Sequence, residues 1–255
     1  MPPNKEAQKT HAALFPGHIS TLAVTDPDLI ETFDNFAFDE VLREAKLDVR
    51  TRLMVQLAAM IACQGLREYR VMLGAALNVG VTPIEAKEIV YHAVPYVGMA
   101  KAFDFIHATN GVLTERGVAL PLPSQSTTTP QTRMEKGLAV QKQIVGSERV
   151  DKLYAGAPVD QQHIQRLLSA NCFGDNYTRS GINVPMRELL TFSILVALGG
   201  CDPQVKGHVA ANLNVGNDRA TLIDVLTQLL PFIGYPRTLN GLRAIDEVAP
   251  LSRGK

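Results

Sequence analysis

The chain has no tryptophan, and only 6% of its 255 residues are aromatic. That scarcity argues against a stacking platform for nucleic-acid bases. Neither sign of charge is in excess, since 25 basic residues offset 25 acidic ones. The basic footprint of a nucleic-acid binder is therefore missing, as is an acidic tail. No apolar run reaches the roughly 18 residues that a membrane-spanning helix requires. The opening stretch, MPPNKEAQKTHAALFPGH, lacks the apolar core of a signal peptide, so the expected location is the cytoplasm. The cysteines are few, Cys63, Cys172 and Cys201, an odd number at no metal-type spacing. Free thiols in a reducing compartment are the simplest reading. No HExxH, CxxC or paired-carboxylate motif occurs, and GGCDPQ lacks the strand and lysine of a phosphate loop. No metal and no cofactor are expected.

What the chain does have is a repeat. LNVGVTPIEAKEIVYHAVPYVGMAKAFD (Leu77–Asp104) aligns without a gap with LNVGNDRATLIDVLTQLLPFIGYPRTLN (Leu213–Asn240), at an offset of 136. Upstream, LDVRTRLMVQLAAMIA (Leu47–Ala62) aligns with INVPMRELLTFSILVA (Ile182–Ala197) at an offset of 135, so one residue is gained near Gly199–Gly200. The copies differ in polarity. Glu188, Cys201 and His208 of the second stand where the first has Leu53, Gly65 and Met72. One copy reads as scaffold and the other as the working half.

Nearly every strong period is helical. RTRLMVQLAAMIACQG and RELLTFSILVALGG are apolar on almost all sides, as buried helices are. Each precedes a more amphipathic helix ending near Gly80 or Gly216, both in C-cap position. Asp202-Pro203 reads as a helix start with Asp202 as N-cap, and Thr82-Pro83-Ile84-Glu85 as a capping box. A third helix runs to Pro95 or Pro231, and a fourth begins at Gly98 or Gly234. Met134–Tyr154 and Asp160–Ala170 also read as helical. No segment alternates as an exposed strand would. The predicted fold is all-α, with two tandem helical repeats packed as pseudo-symmetric halves. The predicted division is an extended amino-terminal arm over 1–25, a first repeat over 26–117, a Pro/Ser/Thr-rich linker over 118–132, and a second repeat over 133–255.

Four segments of the second repeat, GDNYTRSG (Gly174–Gly181), RELLTFSILVALGG (Arg187–Gly200), KGHVAANLNVG (Lys206–Gly216) and PFIGYPRTLN (Pro231–Asn240), resemble the carboxymuconolactone decarboxylase family. That family lies within the all-α alkylhydroperoxidase D-like superfamily. The resemblance spans about Met134–Val248, with a weaker copy over about Asp26–Arg116. It implies a tandem-repeat member with one degenerate repeat. It implies a cofactor-free decarboxylase acting on a small lactone or keto acid in aromatic-compound catabolism. The alternative it implies is a thiol-dependent peroxidase, an antioxidant using Cys201. Peroxidase-type relatives place a glutamate, a cysteine and a histidine where this chain has Glu188, Cys201 and His208. Their second cysteine falls on Gln204 here, so the dithiol is missing. Decarboxylase-type relatives match at Arg179, Arg187 and His208, but carry a small residue where this chain has Glu188. Single-repeat relatives form rings of paired subunits, so a fused pair implies a closed homotrimer.

Decarboxylation of a conjugated carboxy-lactone needs no external electron sink, because the lactone oxygen receives the electrons. The protein must hold a carboxylate, stabilise an oxyanion and deliver a proton. Arg179, Arg187 and Arg237 are candidate clamps, since guanidinium pairs with carboxylate in bidentate fashion, and Gln204 is a further candidate contact. His208, in the small-residue run GHVAAN, is the candidate proton donor. Glu188 is expected to orient it. Cys201, at a helix N-terminus where a thiolate is favoured, precedes His208 by seven residues, about 10.5 Å along a helix. That is too far for a direct hydrogen bond. Cys63, Cys172, His92 and His107 are expected to be structural, and His11, His18 and His163 show no companion ligands.

Overall fold

The computed structural model describes residues 3–251. Its regular elements are all helical. The amino-terminal segment holds α1 (Lys5–Leu14), α2 (Leu22–Thr25), α3 (Pro27–Asn35), a π-helical turn over Phe36–Glu40, and α4 (Val41–Arg43). The first copy continues with α5 (Val49–Cys63), α6 (Leu66–Asn78), α7 (Pro83–Val97) and α8 (Met99–Glu115). The second opens with α9 (Arg133–Val145), α10 (Ser147–Gly156), α11 (Gln162–Leu167) and a π-helical segment over Leu168–Tyr177. It closes with α12 (Val184–Leu198), α13 (Asp202–Asn214), α14 (Arg219–Ile233) and α15 (Tyr235–Val248).

The bounds follow from local chemistry. Asp48 and Asn183 cap α5 and α12 by accepting from the backbone N–H of Thr51 and Met186. Thr82 and Glu85 form the capping box of α7, and Asp218 caps α14. α5 and α12 are buried nearly all round, from Arg52 to Ala62 and from Arg187 to Ala197. They pack against each other at the centre of the molecule. Around them the packing is reciprocal: α7 of the first copy lies against α12, and α14 of the second lies against α5. Each third helix also lies against its own copy's central helix, so α7 and α14 each bridge α5 and α12.

Several expectations need correcting. The amino-terminal segment is helical rather than extended. Asn4 caps α1 through Ala7 N–H, and Ala7 and Leu14 are buried. The stretch after the linker breaks into α9 and α10 at Gly146, which adopts φ +96°. Pro95 and Pro231 lie inside the last turns of α7 and α14, which run on to Val97 and Ile233. Helix α13 begins at Asp202 with Cys201 as N-cap, so Asp202 sits in the first turn.

The longer π-helical segment is clamped against α9 by glycine. A methyl group on Gly137 would overlap the backbone of Ser169 and Gly174, and one on Gly174 would overlap that of Arg133. This close approach fixes the segment that carries Cys172 and Tyr177, both buried. At the surface, Met99 and Phe103 on α8 are more than half exposed, and so are Tyr235 and Leu239 on α15. These pairs match at the repeat offset of 136.

Candidate active site

Glu188 lies in the first turns of α12 and is fully buried. A carboxylate in that position is costly unless each oxygen is satisfied. Both are. Oε2 meets His208 Nδ1 at 2.8 Å, and Oε1 accepts from Tyr177 OH at 2.5 Å. Helix α13 brings His208 to this point, and Asn212, one turn further on, ties the two helices by donating to Glu188 O and His208 O. The His208 side chain is 19% exposed. Among the described residues its Nε2 has no hydrogen-bond partner, so that nitrogen is the one offered outward.

Behind the pair lies a cluster of hydroxyls. Thr191 Oγ1, Tyr96 OH and Tyr177 OH stand 2.8–3.0 Å from one another. Burial pushes both phenols well above their ordinary range, and the charge of Glu188 pushes Tyr177 further. Both therefore keep their protons and act as donors. Tyr177 donates to Glu188, Tyr96 to Tyr177, and Thr191 to Tyr96. His92 closes the chain, with Nε2 at 2.8 Å from Thr191 Oγ1 and 3.1 Å from Arg187 O. Its Nδ1 faces Arg187 Nη1 at 3.5 Å. A guanidinium can only donate, so Nδ1 is the bare nitrogen and Nε2 carries the hydrogen. Burial, and then the Arg187 charge, hold His92 well below its ordinary value, so the ring is neutral.

Arg187 is 0% exposed. Its Nη2 donates to Glu88 Oε2 at 2.8 Å and to Arg179 O, and its Nε donates to Ile182 O. Glu88, also buried, receives Arg179 Nε at 2.8 and 3.0 Å and Nη2 at 2.7 Å. Two guanidinium groups thus hold one carboxylate across the junction of the copies. Arg179 is partly exposed at the far end of this chain, over the ring of Tyr91.

The structure thus brings together Glu188 and His208, with Arg187 in the same buried network but turned toward Glu88. It does not bring Cys201 or Arg237 to them. Cys201 Sγ donates to Leu195 O at 3.2 Å and lines a shallow crevice that Arg237 also borders. Arg237 is exposed, with Nη1 3.9 Å from Cys63 Sγ. Gln204 is exposed one turn before His208, on the same helix face. At Cys201 burial raises the thiol pKa and the neighbouring Asp202 raises it further, against the pull of the helix N-terminus. Burial likewise raises Cys63.

Sequence reasoning missed Tyr177, Thr191, Tyr96 and Glu88; Cys172 is buried in the core as expected, and His92, expected to be structural, joins this network. Cys172 lies beside Tyr96 and Glu188, and burial pushes its thiol up to about 12. Tyr177 and Thr191 lay inside the quoted segments. For His92 and Glu88 the available signal was their contrast with Gln228 and Asp224 at the repeat offset. His107, expected in apolar surroundings, is exposed, with its ring against that of Phe103.

The carboxymuconolactone decarboxylase family model matches residues 27–110 and 162–247, more than half of the chain. The chain belongs to that family and carries its domain twice. A 118-residue stretch is 25% identical to a protein of Acinetobacter baylyi, 4-carboxymuconolactone decarboxylase. The stretch is 46% of this chain and 87% of that protein, so the relative corresponds to about one copy. Among the described residues no helix is long and apolar enough to cross a membrane, and no cluster of three or more acidic, histidine or cysteine side chains is placed to hold a metal ion.

Proposed function

We propose that the chain is a cofactor-free carboxy-lyase in which His208 delivers a proton to a small lactone or keto acid as it loses carbon dioxide. The observation that carries this reading is the His208 Nδ1–Glu188 Oε2 contact of 2.8 Å, with Glu188 fully buried and Nε2 left outward. Cleavage of the carbon–carboxylate bond leaves its electron pair in the conjugated lactone or enolate. His208 Nε2–H then protonates the carbon that receives it. Glu188 compensates the imidazolium charge before transfer, and Tyr177 and Thr191 fix the carboxylate in turn. Such a positioned acid contributes roughly 10²–10⁴-fold.

Arg187 acts here by positioning, because its donors are directed at Glu88 and backbone carbonyls. Gln204 is the exposed polar group nearest along the helix for a substrate contact. The family and its 4-carboxymuconolactone decarboxylase relative support this reaction class. A peroxidase centred on Cys201 has less support, since all three thiols are pushed away from the thiolate form.

Carbon dioxide release from a panel of carboxy-lactones and β-keto acids tests the proposal. Turnover should fall by about 10²-fold or more in His208→Ala, with the circular-dichroism spectrum unchanged, and should largely survive Cys201→Ser. Peroxide consumption lost in Cys201→Ser, with no acid decarboxylated by the wild type, would reverse the assignment.

For assembly we propose a closed trimer. Its support is the repeat-matched exposure of Met99 and Phe103 with Tyr235 and Leu239, which gives each chain two similar apolar faces. Light scattering should then return about three times the chain mass of 27.7 kDa. A monomer would rule the trimer out.

A further inference from the structure

A cleft of about 540 Å³ opens between α7, α8 and the segment joining the copies. Its volume falls within the roughly 300–1,000 Å³ of small-molecule sites. The joining segment is not a loose tether at this point. Gln125 accepts from Ser180 N–H at 3.0 Å and from Ser180 Oγ at 2.8 Å, and Thr127 Oγ1 donates to Thr178 O. The wall that Leu122 and its flanking prolines present to the cleft is therefore fixed to the second copy.

The opposite wall is cationic. Lys87 Nζ and the Arg179 guanidinium are both held against the Tyr91 ring, at 5.0 and 5.2 Å from its centroid. Lys87 spends one hydrogen on Asn110 Oδ1 at 2.6 Å. Arg179 spends Nε and Nη2 on Glu88, and its Nη1 has no hydrogen-bond partner among the described residues. Glu88 is the one carboxylate in the lining, and it is shared with the buried Arg187. The local balance is positive, with unspent N–H groups beside an aromatic face and an apolar wall. That combination suits an anion carrying a carbon body.

We propose that this cleft is a second binding site, for a small carboxylic acid with a planar or apolar body, distinct from the His208 centre. His208 is not among the described residues that line the cleft, and the two sites are joined only through the buried hydrogen-bond chain from Glu88 through Arg187, His92, Thr191 and Tyr177 to Glu188. The proposal rests on no part of the decarboxylase reading.

Isothermal titration of the full chain with benzoate, cyclohexanecarboxylate and adipate tests it, with benzamide as the uncharged control. At least one acid should bind, and benzamide at least about tenfold more weakly than benzoate if benzoate is that acid. Lys87→Met should weaken binding about tenfold. Ser124→Trp, on the exposed segment, should do the same by filling the cleft, while His208→Ala should leave the affinity unchanged. Circular dichroism confirms that each variant is folded. The proposal falls if no acid binds, if binding survives both cleft substitutions, or if it is lost in His208→Ala.

Discussion

Two places in the molecule share one backbone and differ in almost every polar atom. At the first, α12 and α13 of the second copy meet α7 of the first, and Glu188, His208, Thr191, His92 and Tyr96 converge. At the second, α5 of the first copy meets α14 of the second, with α6 packed beside α5. The matching residues there are Leu53, Met72, Gln56, Gln228 and Phe232. Leu53 and Met72 are buried at 0% and 1% exposure. Gln56 Nε2 donates to Gln228 O at 2.9 Å and Gln228 Nε2 to Val41 O at 2.8 Å. Both glutamine Oε1 atoms are buried without a partner among the described residues. The same backbone is therefore built at this second place without the polar cluster. Around Glu188 every buried oxygen is matched, whereas the apolar counterpart tolerates two orphaned acceptors. A buried carboxylate demands that completeness, whereas an amide oxygen left without a partner costs far less.

Four experiments put that contrast at risk, and the largest effect is expected at the carboxylate between the copies. Glu88→Gln leaves Arg187 buried without its counter-charge and should cost about 3–5 kcal/mol in urea unfolding. The matched change Asp224→Asn should cost less than about 0.5 kcal/mol, because the amide oxygen can still accept from Lys46 N–H, as Asp224 does at 3.0 Å. Equal costs would break the comparison. Next comes Met72→Ala, which should remove about 2–5 kcal/mol of stability and leave turnover per folded molecule unchanged. Its counterpart His208→Ala should lose turnover and little stability. A stability loss in His208→Ala as large as that in Met72→Ala would mean that the histidine is core after all.

A third variant converts one place toward the other. Glu188→Leu combined with His208→Met installs the first copy's residues. Exchanging a hydrogen-bonded polar pair, one member of it buried, for packed apolar groups is neutral or adds up to about 1–4 kcal/mol, so the midpoint should hold or rise while activity disappears. A collapsed midpoint would show that the second copy cannot accept the first copy's packing. The smallest effect is a pH dependence. The folded state holds His92 below its ordinary value of 6.5, so the unfolded chain binds a proton there that the folded chain refuses. Stability should fall as pH drops below about 6.5, by at most about 1.4 kcal/mol per unit. In His92→Gln, which carries the residue found at Gln228, that share of the slope should vanish. An identical slope in the variant at pH 5–7 would mean that His92 is not neutral.

The repeat made much of the fold legible. Aligning Leu47–Ala62 with Ile182–Ala197 located the two central helices, and the shared Leu-Asn-Val-Gly located the two that follow. The contact of Glu188 with His208 could be read from a carboxylate at the start of one helix and an imidazole in the next. The bridging of both central helices by α7 and α14 could not. A repeat says which segments are alike, not whether each packs on its own copy alone or on both, and the hydrophobic period is the same either way. His92 and Glu88 were passed over for that reason: they sit in the apolar copy but serve the polar one. The π-helical segment that aims Tyr177 was also out of reach, because it has no hydrophobic period of its own. It is set by the glycine contact of Gly137 with Gly174, which only three dimensions reveal.

The reach of each third helix into the other copy has a consequence for how the gene can be divided. Cut between the copies, the second half keeps Glu188, His208 and Tyr177 but loses Glu88, His92 and Tyr96. Paired with its own duplicate, it would receive Asp224, Gln228 and Phe232 in their place, and Arg187 would face a shorter acid and no imidazole. Only the unlike partner completes the cluster. Covalent joining therefore acts as a matchmaker: it guarantees that each polar half meets an apolar half. It also frees each half to drift in sequence without having to remain compatible with a copy of itself.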